Sequence, residues 1–132
     1  MKGIDTNILV RFLMADDEAQ AKKVYAIFKQ TERDKDELLV SLLVVLETIW
    51  VLDSVYKVSR EEILAAMGDL LLMPVLVFER QSLLQEFTRM ARENNYDLSD
   101  LLIAHSARAL GCESVITFDR KVSRSVLFEL VK

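Results

Sequence analysis

Four acidic residues of this chain follow or interrupt apolar segments, where an ordinary surface charge is not expected. Asp5 and Asp119 each come after a short apolar run that is typical of a strand. Glu47 lies inside a long apolar segment, and Asp100 lies at the start of another. Clustered carboxylates can hold divalent cations, and such a centre activates water and stabilises charge on a scissile phosphate. These four residues are therefore the candidate catalytic and metal-binding centre.

Glu47 is the sharpest of these signals. It is the only charged residue between Glu37 and Asp53, and this pattern predicts a helix that is apolar on every side and therefore buried. A buried unpaired carboxylate is costly, so it needs a metal ion, a proton or a basic partner. An ion pair at the rim of the helix, with Arg11 or Arg108, is the ordinary alternative.

Asp100 is expected to begin a helix and to point along its core-facing side. Ile103, Ala104 and Ala107 follow it at the spacing of a buried stripe. A capping role is the alternative, because Asp97 and Asp100 have the spacing of a capping box with an acid at each position. Ordinary alternatives exist for the other acids too, since Asp is common at helix N-caps and in turns.

The elements that position these acids alternate along the chain. Short apolar runs predict strands at 2–4, 38–40, 75–78, 114–118 and 127–131, and capped helices separate them, with a charged loop over 31–37. This alternation predicts an α/β domain with a mainly parallel sheet of four or five strands. Ligands of such sheets gather beyond the carboxyl ends of the strands, so Asp5, Glu47, Asp100 and Asp119 can all lie at one edge.

Four ionised carboxylates at one site require cations, because like charges at close range raise each other's pKa. Mg²⁺ or Mn²⁺ is the expected partner, since both are hard ions that take oxygen ligands and retain water. The sequence has no cluster of His and Cys that would indicate a zinc site, and no Gly-rich loop that would indicate a nucleotide-binding site. His105 lies five residues after Asp100 and faces away from it on a helix, so we expect a packing or surface role rather than a reactive one.

Composition limits the class of protein. The chain has 132 residues, which suits a single domain over 1–132, and it is 52% hydrophobic and 29% charged, as expected of a folded protein. The net charge of −4 argues against a simple nucleic-acid-binding module, but it does not exclude an enzyme with a metal centre that acts on nucleic acid.

The expected location is the cytoplasm. Cys112 is the only cysteine, so no internal disulfide can form and a reducing compartment is expected. The start MKGIDTNILVRF does not resemble a signal peptide, and the apolar stretch over 38–52 is too short to span a bilayer comfortably. The apolar run from Leu70 to Met73 and the high apolar content predict a homodimer that covers surplus apolar side chains.

The order of these motifs resembles the PIN-domain family, and most closely its VapC-type toxin ribonucleases. MKGIDTNILVRFL resembles the opening strand of the family, and VVLETIWVL resembles the helix that carries its Glu. YDLSDLLIAHSARALGCESVITFDRK resembles its acidic helix, glycine stop and final strand with T-x-D. The likeness covers nearly the whole chain.

The resemblance implies a three-layer α/β/α fold and an endoribonuclease that depends on Mg²⁺ or Mn²⁺ and cleaves RNA. It implies an acidic centre of Asp5, Glu47, Asp100 and Asp119, supported by Asn7, Asp97 and Thr117. It also implies a protein antitoxin as partner and a homodimer. Two departures stand out: His105 replaces a residue that is often small, and in the segment RKVSRSVLF after Asp119 a valine replaces the aromatic often found shortly after that Asp.

Two other classes of function remain open from the residues. The first is a phosphotransfer domain that binds Mg²⁺, either receiver-like or haloacid-dehalogenase-like. A receiver needs paired acids after its first strand and a dehalogenase needs Asp-x-Asp, whereas this chain has Asp5 and Asn7. The second is a catalytically silent PIN-like interaction module, against which the presence of all four acids argues.

Overall fold

The computed structural model describes residues 1–132 and contains five strands, six α-helices and one short 3-10 helix. In chain order the elements are β1 (Lys2–Gly3), α1 (Thr6–Met14), α2 (Glu18–Arg33), β2 (Leu38–Val40), α3 (Leu42–Ser54), α4 (Arg60–Leu71), β3 (Leu76–Phe78), α5 (Gln81–Ala91), α6 (Leu98–Ala109), β4 (Val115–Thr117), the 3-10 helix (Val122–Arg124) and β5 (Phe128–Leu130). The chain divides into two compact units, Met1–Gln81 and Ser82–Lys132.

The first unit is built on a parallel sheet of three strands in the order β1-β2-β3. Leu38 pairs with Lys2 on one side and with Leu76 on the other. Helices α1 and α2 lie between β1 and β2 in the chain, and helices α3 and α4 lie between β2 and β3. Helix α1 packs against both α2 and α3. The rings of Phe12 and Phe28 lie 4.8 Å apart between α1 and α2. The core of this unit consists of large aliphatic side chains that are almost fully buried, among them Leu9, Val10, Val40, Val45, Ile49, Leu52, Ile63, Met67 and Leu70.

The second unit contains a pair of parallel strands, β4 and β5, with Val115 opposite Phe128. Phe87 on α5 and His105 on α6 are both buried, and their rings meet edge to face with centroids 6.0 Å apart. Leu84, Leu101, Leu102 and Ala104 are also buried on these helices. His105 therefore has a packing role, one of the two that its position on the helix predicted.

The predicted α/β class is confirmed: every strand pair is parallel, and helices alternate with strands. Two details of the prediction are wrong. The strands form a three-stranded and a two-stranded sheet rather than one sheet. Helix α2 continues to Arg33, three residues into the predicted loop. The helical hydrogen bonds persist beyond Gln30, and the last of them runs from Asp34 N to Gln30 O at 3.0 Å.

The run from Leu70 to Met73 does not form the exposed apolar patch that the dimer prediction assumed. Leu70 and Leu71 are buried at the end of α4, and only Leu72 is strongly exposed, at 81%. The reason is helical geometry, since residues one apart on a helix point in different directions. No helix in the structure has both the length and the apolar character needed to cross a membrane.

Several turns of the backbone use left-handed conformations without glycine. Ala15, Lys35, Lys57 and Arg80 have φ angles of 51°, 53°, 57° and 60°. Ala15 ends α1, and its backbone N–H donates to Arg11 O. A non-glycine residue in this region is disfavoured because Cβ approaches the following carbonyl oxygen.

Candidate functional site

Asp5 lies between β1 and α1 and caps the helix. Its Oδ1 accepts a hydrogen bond from the backbone N of Ile8 at 3.2 Å, so one of the unpaired donors of the first helical turn is satisfied. Just before it, the N–H of Ile4 donates to Leu39 O at 3.0 Å, which ties this turn to β2. Asp5 is therefore an N-cap, and the cap uses only one carboxylate oxygen on an exposed side chain.

Glu47 is exposed, so the prediction that its helix is buried on every side is wrong. One face of α3 packs into the core through Val45, Ile49 and Leu52, but the opposite face is open. Leu43 on that face is 78% exposed and Trp50 is 56% exposed. An apolar sequence does not require burial where no neighbouring element covers the side chains.

Glu47 is held by Thr6 rather than by an arginine. The buried Thr6 hydroxyl donates a short hydrogen bond to Glu47 Oε1. Arg11 instead donates from Nε to Gln20 Oε1 at 2.6 Å, and its Nη1 contacts Asp16 Oδ1 at 3.2 Å. An ion pair between Glu47 and Arg11 is thus excluded. The Thr6 contact could not be predicted from the sequence, because the two residues lie 41 positions apart.

The start of α3 is fixed by two acceptors. Ser41 Oγ accepts from Val44 N at 3.3 Å, and Glu79 Oε1 accepts from Leu42 N at 2.7 Å. Glu79 directly follows β3, so the end of this strand anchors the helix that carries Glu47. Neither acceptor was among the predicted site residues, although a Ser before an apolar helix is a recognisable N-cap signal.

Asp5 and Glu47 line the same pocket. This cavity has a volume of about 250 Å³, and its lining consists of Asp5, Thr6, Asn7, Glu47 and Val51. Two of the four predicted acids and the predicted supporting residue Asn7 are thereby brought together within the first unit. Carboxylate and amide oxygens facing one pocket are the donor type that Mg²⁺ and Mn²⁺ prefer.

In the second unit, Asp97 caps α6 and Asp100 lies in its first turn. Asp97 Oδ1 accepts from Asp100 N at 2.9 Å. Asp100 itself is half-buried. The stripe predicted beneath it is wrong in one member, since Ala104 is buried but Ile103 is 46% exposed. The helix is rotated so that Leu101 and Leu102 make the core contacts.

Asp119 follows β4 and organises the turn after it. Its Oδ1 accepts from the backbone N of Lys121 at 2.8 Å and from that of Val122 at 3.1 Å. The N–H of Asp119 donates to Thr117 Oγ1 at 3.0 Å. Thr117 therefore contacts the backbone of Asp119, which is consistent with a supporting position.

The carboxylates of the second unit influence one another electrostatically. Partial burial raises the pKa of Asp100 above its ordinary value, and the negative charges of Asp97 and Asp119 raise it further. Such a carboxylate is stabilised by any cation that approaches it. The second unit thus contains three acids, Asp97, Asp100 and Asp119, that interact electrostatically.

No group of three or more His, Cys, Asp or Glu side chains in the structure is arranged to hold a metal ion. The types of donor nonetheless fit Mg²⁺ or Mn²⁺, since they are oxygen atoms of Asp, Glu and Asn. Mg²⁺ commonly binds proteins through only one or two carboxylates and keeps several of its waters. Metal binding at Asp5, Glu47, Asp100 and Asp119 stays a prediction.

The sequence of the chain is similar to that of known proteins. The model of the PIN domain family matches residues 3–125. A VapC ribonuclease of Aquifex aeolicus (strain VF5) is 23% identical over 124 residues, which cover 94% of this chain and 91% of that protein. The matched range includes every predicted site residue, and the fold class is the three-layer α/β/α arrangement with parallel strands that the sequence predicted. The chain belongs to the PIN domain family.

Proposed function

We propose that this protein is a divalent-metal-dependent endoribonuclease that cleaves phosphodiester bonds of RNA. The observation that carries the proposal is the pocket lined by Asp5, Asn7 and Glu47 in a chain that matches the PIN domain over residues 3–125. The similarity to a VapC ribonuclease supports the same activity.

In this proposal, Asp5, Glu47, Asp100 and Asp119 form the acidic centre that holds the metal. Mg²⁺ or Mn²⁺, when bound, supplies a Lewis acid and an activated water at the scissile phosphate. Thr6 keeps the Glu47 carboxylate in one orientation through its hydroxyl. Asp97 and Thr117 act as positioning residues, since Asp97 caps the helix of Asp100 and Thr117 accepts from the backbone of Asp119.

We further propose that the protein is the toxin of a type II toxin–antitoxin pair. Uncontrolled cleavage of RNA harms the host, so such an enzyme requires a partner that blocks it. A protein antitoxin with an arginine near the carboxylates would neutralise them and compete with the metal. Expression of the chain alone should arrest growth, and expression of a variant with Asp5→Asn should not. Harmless expression of the folded parent protein would contradict the toxin assignment.

A homodimer is also part of the proposal. Several large apolar side chains of the chain are strongly exposed, including Val55, Leu72 and Leu110. A two-fold interface is the common way in which such surfaces are covered. Light scattering at micromolar concentration should give a mass of about twice 15.2 kDa. A mass of one chain would contradict the dimer.

The decisive experiment is cleavage of a structured RNA, labelled at one end, by the purified protein. Cleavage should occur with Mg²⁺ or Mn²⁺ and stop in EDTA. Asp5→Asn should abolish it, whereas Asp53→Asn should leave it unchanged, because Asp53 is an exposed acid of α3 that does not line the pocket. A parallel incubation with acetyl phosphate tests the phosphotransfer alternative. Incorporation of phosphate without cleavage of RNA would overturn the proposal.

A further inference from the structure

Trp50 is the only tryptophan of the chain, and its side chain lies in the open on α3. It is 56% exposed, although an indole is among the side chains that gain most from burial. More than half of its surface is exposed, whereas Ile49 and Leu52 on the other face of the same helix are buried. A large aromatic side chain that is exposed in this way is typical of a binding surface.

The position of Trp50 relates it directly to the candidate active site. It follows Glu47 by three residues, which on an α-helix places it about 60° round the axis and about 4.5 Å along it. The next residue, Val51, lines the pocket together with Asp5 and Glu47. Trp50 is therefore close on α3 to two residues that line the pocket, and it is not itself part of the lining.

The charge of the pocket explains why an uncharged contact would matter there. RNA carries one negative charge per phosphate, and the pocket presents Asp5 and Glu47 in a chain with a net charge of −4. A bound metal offsets this repulsion only at the phosphate that it contacts. Affinity for the neighbouring nucleotides has to come from groups that do not depend on positive charge, and stacking of bases on aromatic rings is such a contact.

We infer that Trp50 is a stacking platform that holds an unpaired nucleobase of the RNA beside the scissile phosphate. This inference rests on the proposed nuclease function and assigns to it a substrate-binding residue. Stacking is tolerant of sequence, because every base has a π-face. Trp50 thus favours cleavage in single-stranded segments, where a base is free to leave its neighbours.

The alternative occupant of this face is an apolar protein surface, and Glu47 argues against it. Leu43 and Trp50 are the exposed apolar side chains on either side of the Glu47 carboxylate. An apolar protein surface that covered both would also bury that carboxylate, which is costly. A nucleotide avoids this cost, because its base contacts the indole while its phosphate faces the pocket and any metal bound there.

Fluorescence tests the inference directly, because Trp50 is the sole tryptophan and thus the sole indole emitter. The full chain in EDTA is titrated with a ten-nucleotide poly(A) RNA and, as a matched control, with an abasic oligonucleotide of the same length. The RNA should quench the emission in a saturable manner, and the abasic strand should not. Equal quenching by both strands would overturn the inference, as would binding of fluorescently labelled RNA without any change in the emission of Trp50.

Kinetics provide the second test. Trp50→Ala should raise KM for a single-stranded RNA about tenfold and leave kcat unchanged, and Trp50→Phe should recover most of the loss. Leu43→Ala removes an exposed apolar side chain of the same helix face and should leave KM unchanged. An unchanged KM in Trp50→Ala would overturn the inference, as would an equal rise in Leu43→Ala, which would indicate a general apolar docking face.

The two tests separate this inference from the proposed function. If the parent protein cleaves RNA and Trp50→Ala retains the same KM, the function stands and the inference fails. If the parent protein does not cleave RNA but poly(A) quenches Trp50 and the abasic strand does not, the nuclease proposal fails while the base platform stands. An emission that shifts with protein concentration and not with RNA assigns Trp50 to an interface between copies and overturns the inference.

Discussion

The hydroxyl of Thr6, at the start of α1, donates a hydrogen bond to Oε1 of Glu47 in the middle of α3. This contact joins two residues of one pocket through a side chain that is buried, while the carboxylate that it holds is exposed. The orientation of Glu47 is thereby linked to the position of the turn that contains Asp5. Thr6, which has no proposed part in the reaction, thus positions Glu47, which has one.

Replacement of Thr6 tests this link. Thr6→Val keeps the shape of the buried side chain but removes the donor, so Glu47 should become mobile and the rate of RNA cleavage should fall about tenfold, as for other outer-shell partners. The free energy of unfolding should fall by about 1 kcal/mol. Thr6→Ser retains the hydroxyl and should restore the rate. If Thr6→Val cleaves as fast as the parent protein, the contact does not serve the site.

Asp100→Asn should stabilise the protein and abolish its activity. The pKa of Asp100 is raised in the folded state by partial burial and by Asp97 and Asp119, so the folded state binds more protons than the unfolded state as the pH rises above 3.8. Stability is lost as the carboxylate ionises in that range, and a neutral amide removes the loss. We expect a higher melting temperature at pH 7 and a rate of cleavage lower by more than about a hundredfold.

Asp97→Asn is the matched comparison for this variant. Asn also caps helices well, so α6 should remain intact and stability should change by about 0.5 kcal/mol or less. Cleavage should fall far less than in Asp100→Asn. Equal loss of activity in both variants would place Asp97 among the metal ligands and contradict its supporting role.

Metal binding should be visible as thermal stabilisation without any substrate. Mg²⁺ at a hundredfold excess over its Kd should stabilise the parent protein by about 2.7 kcal/mol. Glu47→Gln should reduce this gain, and Asp53→Asn should leave it unchanged because Asp53 lies outside the pocket. A melting temperature that does not respond to Mg²⁺ or Mn²⁺ in the parent protein would contradict the metal centre.

The buried His105 should make stability depend on pH. Burial lowers the pKa of His105 from 6.5, the charge of Arg108 lowers it further, and Glu86 opposes them. Its Nε2 is buried without a hydrogen-bond partner. Below pH 6.5 the unfolded state binds the proton more readily, so stability should fall as the pH drops through that value and should level off below the pKa of the folded state. Melting from pH 5 to 7.5 measures this, and His105→Leu should abolish the contribution.

Local signals of the sequence predicted the fold well, because strands and caps depend on neighbouring residues. The strand at Leu38–Val40 and the caps at Asp5 and Asp97 follow from apolar runs and from side chains that accept hydrogen bonds from backbone N–H groups. The separation of the strands into two sheets could not be predicted, since it depends on hydrogen bonds between distant segments.

The exposure of Glu47 shows that an apolar sequence pattern does not predict which face of a helix is buried. The surroundings of Glu47 in sequence are apolar, yet Leu43 and Trp50 beside it face outward. Apolar content predicts that a helix can be buried, and only the packing of other elements decides which of its faces is covered. The same limit hid the roles of Thr6 and Glu79, whose partners lie 41 and 37 positions away.

The four left-handed turn residues have a consequence for engineering. Ala15, Lys35, Lys57 and Arg80 hold a backbone shape that glycine adopts without steric conflict, and each such residue costs the native state about 1 kcal/mol. None of them lines the pocket of Asp5 and Glu47. Glycine substitution at these four positions should therefore raise the thermostability of the protein without altering any residue proposed to contact RNA.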